Sequence, residues 1–226
     1  MRIFIAMACA AIAGFTPADE DVAGLILERS KADGARADAI TTVTDIVRYG
    51  KTAIRFAIQK GDCVAADCAA DRERVELKSR DTEMEGGHST YRWSFYLPAG
   101  FQSVWPAREF IAQFHQQGGK PAMLFSLEPE GLVFESRFLD GAKPLLIPAT
   151  SLRGAWHDVA VAVSWSTGKG SVRIEVDGEA VFTRDMQTMS ETEAYFKIGL
   201  YRAHVSRAES LPEQVMYVDG IARVRR

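Results

Sequence analysis

Histidine is scarce in this 226-residue chain and cysteine scarcer still, with four of one and three of the other. Positive charge has no excess: 27 Lys and Arg face 30 Asp and Glu, a formal net charge of −3. A chain of that balance has no whole-molecule attraction to a polyanion, which argues against nucleic acid as a partner. The arrangement of charge is a separate matter, because a local basic groove survives an acidic total. No apolar run reaches the roughly 18 residues of a spanning helix, so no membrane span is expected. Helical periodicity is nearly missing, and with it the βαβ rhythm of a parallel sheet. Repeats, low-complexity tracts and linkers are absent. A content of 47% hydrophobic and 25% charged residues excludes disordered, coiled-coil and collagen-like chains.

At the N-terminus, Met1-Arg2 precedes the short apolar run Ile3–Ala13, which ends small-x-small at Ala11-Ile12-Ala13. That pattern is a secretory signal, with cleavage near Ala13. Residues 1–17 are therefore assigned to the signal and 18–226 to one domain, secreted or periplasmic. Losing the signal removes Cys9 and leaves Cys63 and Cys68, in Gly-Asp-Cys-Val-Ala-Ala-Asp-Cys. In an exported protein this close pair suggests a disulfide; two thiols alone would not complete a tetrahedral metal site.

Short runs enriched in β-branched and aromatic residues, broken by turn signals, fill the rest. They include 42–48, 52–58, 72–80, 91–97, 110–115, 123–127, 132–138, 159–165, 171–176, 180–182, 195–201 and 215–224. Many antiparallel strands with one helix predicted over Asp19–Ile40 make an all-β jelly-roll sandwich, concanavalin-like, with a short N-terminal helix.

Strand alternation sorts the polar residues. In 72–80 the even positions Arg72, Arg74, Glu76, Lys78 and Arg80 share a face, opposite Val75 and Leu77. In 110–115 the apolar set Phe110, Ala112 and Phe114 opposes Gln113 and His115. In 195–201 Phe196, Ile198 and Leu200 point inward, while Tyr195, Lys197 and Tyr201 share the other face with Gly199 leaving room beside them. Each pattern alone also suits an ordinary solvated face. Together, on one sheet, they suit β-elimination from a uronate. Removing the proton alpha to a carboxylate requires that the carboxylate be neutralised, which Arg, Lys and amide donors do. A His or Tyr then takes the proton, and a Tyr hydroxyl protonates the leaving oxygen.

Three segments, Arg74-Val75-Glu76-Leu77-Lys78, Gln113-Phe114-His115 and Tyr195-Phe196-Lys197-Ile198-Gly199-Leu200-Tyr201, resemble in order and form those of jelly-roll polysaccharide lyases. The pattern is similar to the group with heparin lyase I and glucuronan lyases, and to family-7 alginate lyases. The resemblance implies catalytic roles for His115, Tyr201, Gln113 and Arg74. Arg74 and Gln113 would neutralise the uronate carboxylate, His115 would be base or second neutraliser, and Tyr201 the acid and, in a syn elimination, the base as well. Lys197, Lys78, Arg72, Tyr195 and Glu76 would hold substrate, Glu76 by orienting the cations. Lys78, Phe114 and Ile198 stand where alginate enzymes usually carry Arg, Ile or Val, and Ala; this weighs against alginate. His88, in Gly-Gly-His-Ser-Thr-Tyr, is a further candidate, with a loop histidine the plainer reading. His157 and His204 read as surface positions.

The expected substrate is an acidic polysaccharide such as glucuronan, alginate or a glycosaminoglycan-like chain, cleaved by a monomer without a cofactor. A structural calcium is conceivable from the relatives, although no loop has an acidic ligand rhythm. The competing reading keeps the fold and drops the chemistry: a non-catalytic carbohydrate-binding module. It would prevail if His115 and Tyr201 fell on opposite faces. A glycoside hydrolase ranks last, because no strand shows suitably spaced paired carboxylates.

Overall fold

A computed structural model describes residues 25–30 and 36–226. The signal assigned to residues 1–17 lies outside them. In chain order the strands are β1 (Leu27–Arg29), β2 (Ile40–Val43), β3 (Ala53–Ile58), β4 (Arg72–Ser79), β5 (Glu83–Met84), β6 (His88–Tyr96), β7 (Arg108–Gln116) and β8 (Met123–Glu128). They continue as β9 (Gly131–Ser136), β10 (Leu145–Pro148), β11 (Trp156–Ser164), β12 (Gly170–Val176), β13 (Glu179–Met186), β14 (Glu193–Ala203) and β15 (Gln214–Arg225). One α-helical turn, α1 (Ala65–Ala69), stands between β3 and β4.

The strands form two antiparallel sheets. The first runs β1-β4-β14-β7-β8-β9-β10, with β5 on β14; the second runs β13-β12-β11-β6-β15-β3-β2. Inward residues from both close a single core in which Tyr91, Trp93, Phe114, Phe125 and Phe196 meet ring to ring at centroid distances of 5.0–5.3 Å. Burying each such side chain contributes on the order of 2–3 kcal/mol, and this is what fixes the sheets face to face. The jelly-roll sandwich read from the strand pattern is the fold of the protein.

The N-terminal helix predicted over Asp19–Ile40 is corrected where the residues are described. Leu27–Arg29 is a strand against Leu77–Ser79 and residues 37–39 form a 3₁₀ turn. Residues 19–24 and 31–35 lie outside the described residues. The edge of β4 explains the outcome: its backbone groups take Ser30 N–H on the Glu76 carbonyl, and Arg80 N–H finds the Ile26 carbonyl. Satisfying a buried sheet edge outweighs a weak local helix preference.

A second correction concerns β7. Its register against β8 slips between Phe110 and Ala112. Ile111 takes the inward position with Ala112 and Phe114, and Phe110 turns to the outer face, stacked on Tyr201 with centroids 5.5 Å apart. A β-bulge adds one residue to its strand and reverses the alternation on one side of it. His157, read as a surface residue, is buried between Asp177 Oδ2 (2.9 Å) and the Ser151 carbonyl (3.0 Å).

Candidate active site

The outer face of β4, β14 and β7 collects the three polar stripes. Lys197 stands opposite Lys78 on one side and Gln113 on the other; Tyr201 stands opposite Arg74 and Phe110; Tyr195 stands opposite His115. The β4–β14 register runs without interruption from Lys197 to Ala203, so Lys197, Gly199 and Tyr201 share one face. The sequence suggests that Gly199 leaves room there, and the structure corrects this. With φ at +140°, a Cβ would lie 2.3 Å from the Val75 carbonyl oxygen and 2.6 Å from Glu76 Cα. Its smallness instead lets β14 press onto β4 beside Glu76.

Glu76 is the centre of the arrangement. One carboxylate oxygen accepts a hydrogen bond from Gln113 Nε2 (2.5 Å), the other from Lys197 Nζ (2.6 Å) and Arg74 Nη1 (2.6 Å). Burial pushes the Glu76 carboxyl up, but Lys197 and Arg74 with these hydrogen bonds outweigh it and hold the group ionised, below its ordinary range. Burial draws the Lys197 ammonium down, against the pull of Glu76. Arg74 has a second partner that strand alternation does not reveal. Asp67, on α1, accepts from its Nε (2.9 Å) and Nη2 (3.2 Å).

Two cations and two carboxylates therefore form the buried floor, so the cations counted along the strands leave no excess charge at this point. Further cations lie beyond Tyr201. A pocket of about 380 Å³ is lined there by Arg72, Arg108, Lys120, Arg137 and His204, together with Phe110 and Tyr201. Glu135 offsets part of that charge through Arg108 (2.5 Å). Apart from Arg72, sequence reasoning did not assign these residues to the site; they come from strand ends and loops, where no period marks a face.

The two proton-transfer candidates occupy opposite ends of the floor. His115 stacks on Tyr195 at 5.3 Å and contacts the Gln116 carbonyl through Nδ1 (2.9 Å). Burial, aided by Lys197 and Arg74, lowers its pKa, which keeps the imidazole neutral at pH 7. Tyr201 lies under Arg74, whose guanidinium carbon is 4.3 Å from the ring centroid. Burial raises its pKa, Arg74 opposes the shift, and the phenol stays protonated.

The remaining candidates are more peripheral. Lys78 pairs with Glu28 at 3.1 Å near the β1 edge, and Arg72 is exposed at the pocket rim. His88 does not join the group: it opens β6 in the other sheet and bonds Ser164 Oγ at 2.8 Å. Cys63 and Cys68 are joined, S–S 2.00 Å. Among the described residues there is no cluster of three or more His, Cys, Asp or Glu able to hold a metal, and no helix long and apolar enough to cross a membrane.

A polysaccharide lyase family model matches residues 21–222. The chain belongs to that family. It is a carbon–oxygen lyase acting on polysaccharides, on the jelly-roll scaffold its strands predict. Among solved structures, alginate lyase AlgAT5 of polysaccharide lyase family 7 is similar at 16% identity and TM-score 0.62, over 85% of this chain and 84% of that one. The family-7 alginate lyase AlyA1 from Zobellia galactanivorans gives 17%, 0.59, and 77% and 78%. The catalytic domain of a glycoside hydrolase family 131 protein from Coprinopsis cinerea gives 13%, 0.56, and 76% and 70%. At these identities the likeness is one of fold, and the fold serves more than one chemistry. No curated protein sequence matches the chain.

Proposed function

We propose that this lyase is an exported enzyme that cleaves a uronic-acid-containing polysaccharide by β-elimination, leaving a 4,5-unsaturated end. The observation that carries the reading is the floor itself. A buried carboxylate, Glu76, holds Arg74, Gln113 and Lys197 in place, with a neutral His115 at one end and a protonated Tyr201 at the other. His115 and Tyr201 both stand on the outer side of the sheet, His115 against Tyr195 and Tyr201 against Arg74.

A uronate ring over Glu76 and Gln113 would set its carboxylate against the N–H groups of Arg74, Gln113 and Lys197 not used internally. Donors placed where charge develops are each worth roughly 10²–10³ in rate. His115 takes the C5 proton, the C4–O bond breaks as the C4–C5 double bond forms, and Tyr201 gives its proton to the departing oxygen. No water enters and no redox change occurs. A syn elimination with Tyr201 in both roles would need its phenolate to take the C5 proton, a form that burial of the phenol disfavours.

The basic pocket beyond Tyr201 suits the neighbouring acidic sugar of the same chain, which favours a polyuronate or glycosaminoglycan-like polymer over a neutral one. Alginate is the substrate named for AlgAT5 and AlyA1. Lys78 in place of a bidentate arginine, with Phe114 and Ile198, argues for another polyuronate here. Export is supported by the N-terminal signal pattern of residues 1–17 and by the Cys63–Cys68 bridge, which belongs to an oxidising compartment.

The test is a panel of glucuronan, alginate and heparin-type polymers, with a neutral glucan as control, followed by ultraviolet absorbance of the unsaturated product. Absorbance should grow on at least one acidic polymer and not on the glucan. Cleavage of the glucan alone would overturn the uronate reading.

A further inference from the structure

The five-residue helical turn α1 contributes little to the core, yet it reaches the centre of the site. Among residues 63–70, Asp67 alone is buried, and Cys68 is exposed. A surface loop that buries only a carboxylate has no apolar anchor to hold its place. A single helical turn is not stable by itself either. What fixes the segment is covalent and polar. The Cys63–Cys68 bridge closes it with a Cα–Cα distance of 5.3 Å, and Cys68 N–H bonds the Val64 carbonyl at 2.9 Å. Next to it the Arg74 N–H bonds the Asp62 carbonyl at 2.7 Å.

Asp67 grips the guanidinium of Arg74 along one edge, through Nε and Nη2, while Glu76 takes Nη1. Three of five donor hydrogens are thereby committed and the plane of the group is set. That plane lies over the Tyr201 ring. With Glu76 alone as partner, the guanidinium could rotate about its single contact, and both the ring contact and the two spare N–H groups would lose their direction. Bidentate pairing supplies this orientational control, which a single contact does not.

We propose that Asp67 is a positioning residue of the lyase, presented by the disulfide-closed loop, that fixes Arg74 for the substrate carboxylate and for Tyr201. This rests on the reading of Arg74 as the group that meets the carboxylate. The disulfide is then part of the active-site scaffold, and its contribution to activity exceeds what so small a ring adds to global stability.

The measurement is kcat/KM on the cleaved polymer for Asp67→Asn, Arg74→Ala, the two combined, and Cys63→Ser/Cys68→Ser with and without Arg74→Ala, with circular dichroism to verify folding. Asp67→Asn and the serine pair should each lower kcat/KM by roughly tenfold or more. Neither should slow the Arg74→Ala enzyme by more than about twofold, because both act through Arg74. Losses that simply multiply would show a general structural role and overturn the proposal, as would wild-type activity in a folded Asp67→Asn enzyme. If Asp67→Asn does not fold, the serine pair decides by the same comparison. Full activity of Arg74→Ala would overturn the reading of Arg74 itself, and the proposal with it.

Discussion

The guanidinium of Arg74 lies over the Tyr201 ring, its central carbon 4.3 Å from the centroid, with Phe110 stacked against the same ring. These contacts hold the ring of Tyr201 and leave its hydroxyl for chemistry.

Tyr201→Phe preserves every ring contact and removes only the transferable proton. Its kcat should fall by about 10²–10⁴. Its thermal midpoint should stay close to that of the parent, read by circular dichroism. A folded Tyr201→Phe enzyme of parental activity would remove Tyr201 from the reaction.

His115 acts as base only when neutral, and burial holds its pKa below the ordinary histidine value. The acid limb of a kcat/KM–pH profile should therefore fall below pH 6.5, with activity constant above it until another group titrates. His115→Gln should remove that limb along with most of the rate. A limb that persists in the variant would assign it to a different group.

Glu109 sits on the inner side of β7 with both carboxylate oxygens buried and without a hydrogen-bond partner. Burial raises its pKa to about 7; Arg202 and Gln214 oppose the shift, but Arg202 is already bound to Glu73 at 3.0 Å and Gln214 donates to the Gln102 carbonyl. A carboxyl raised on folding favours the folded state most below its unfolded value, near 4.5, and loses that advantage as pH rises through about 7. A shift of that size corresponds to about 3 kcal/mol. Glu109→Gln should accordingly be more stable than the parent at pH 8 and nearly equal to it at pH 4, measured by urea denaturation. Equal stability at both pH values would contradict the buried neutral carboxyl.

Arg137 and Lys120 line the basic pocket at a distance from the proton-transfer groups. Arg137→Ala should raise KM for a long acidic polymer several-fold with little change in kcat, since it removes binding common to ground and transition states. Added salt should raise the parental KM in the same direction, exposed charges being screened over about 10 Å at 0.1 M ionic strength. A salt-independent KM would place the polymer elsewhere.

Much of this architecture is legible in the sequence because a strand has a period of two. The stripes at Arg74–Lys78, Gln113–His115 and Tyr195–Tyr201 fall on one face as alternation requires, and the long strands of both sheets lie within a few residues of their predicted limits. Phe110 escaped because a bulge leaves no mark in a pattern of alternation. Asp67 escaped because a surface turn between cysteines has no period, and its role comes only from where the loop lands. Glu73, Glu109 and Arg202 are charges buried in the interior, where Arg202 Nη1 donates to Glu73 at 3.0 Å. The helix predicted at the N-terminus failed where the open edge of β4 offered Leu27–Arg29 a better set of hydrogen bonds.

Elimination and hydrolysis leave different atoms in the product, and this tests the central claim most directly. The enzyme is incubated with the acidic polymer it cleaves, in water enriched in heavy oxygen, and the oligosaccharides are weighed by mass spectrometry. The account predicts unsaturated products that carry no heavy oxygen, since the C4–O bond breaks by proton transfer alone. Saturated products with one heavy oxygen per cleavage would contradict it.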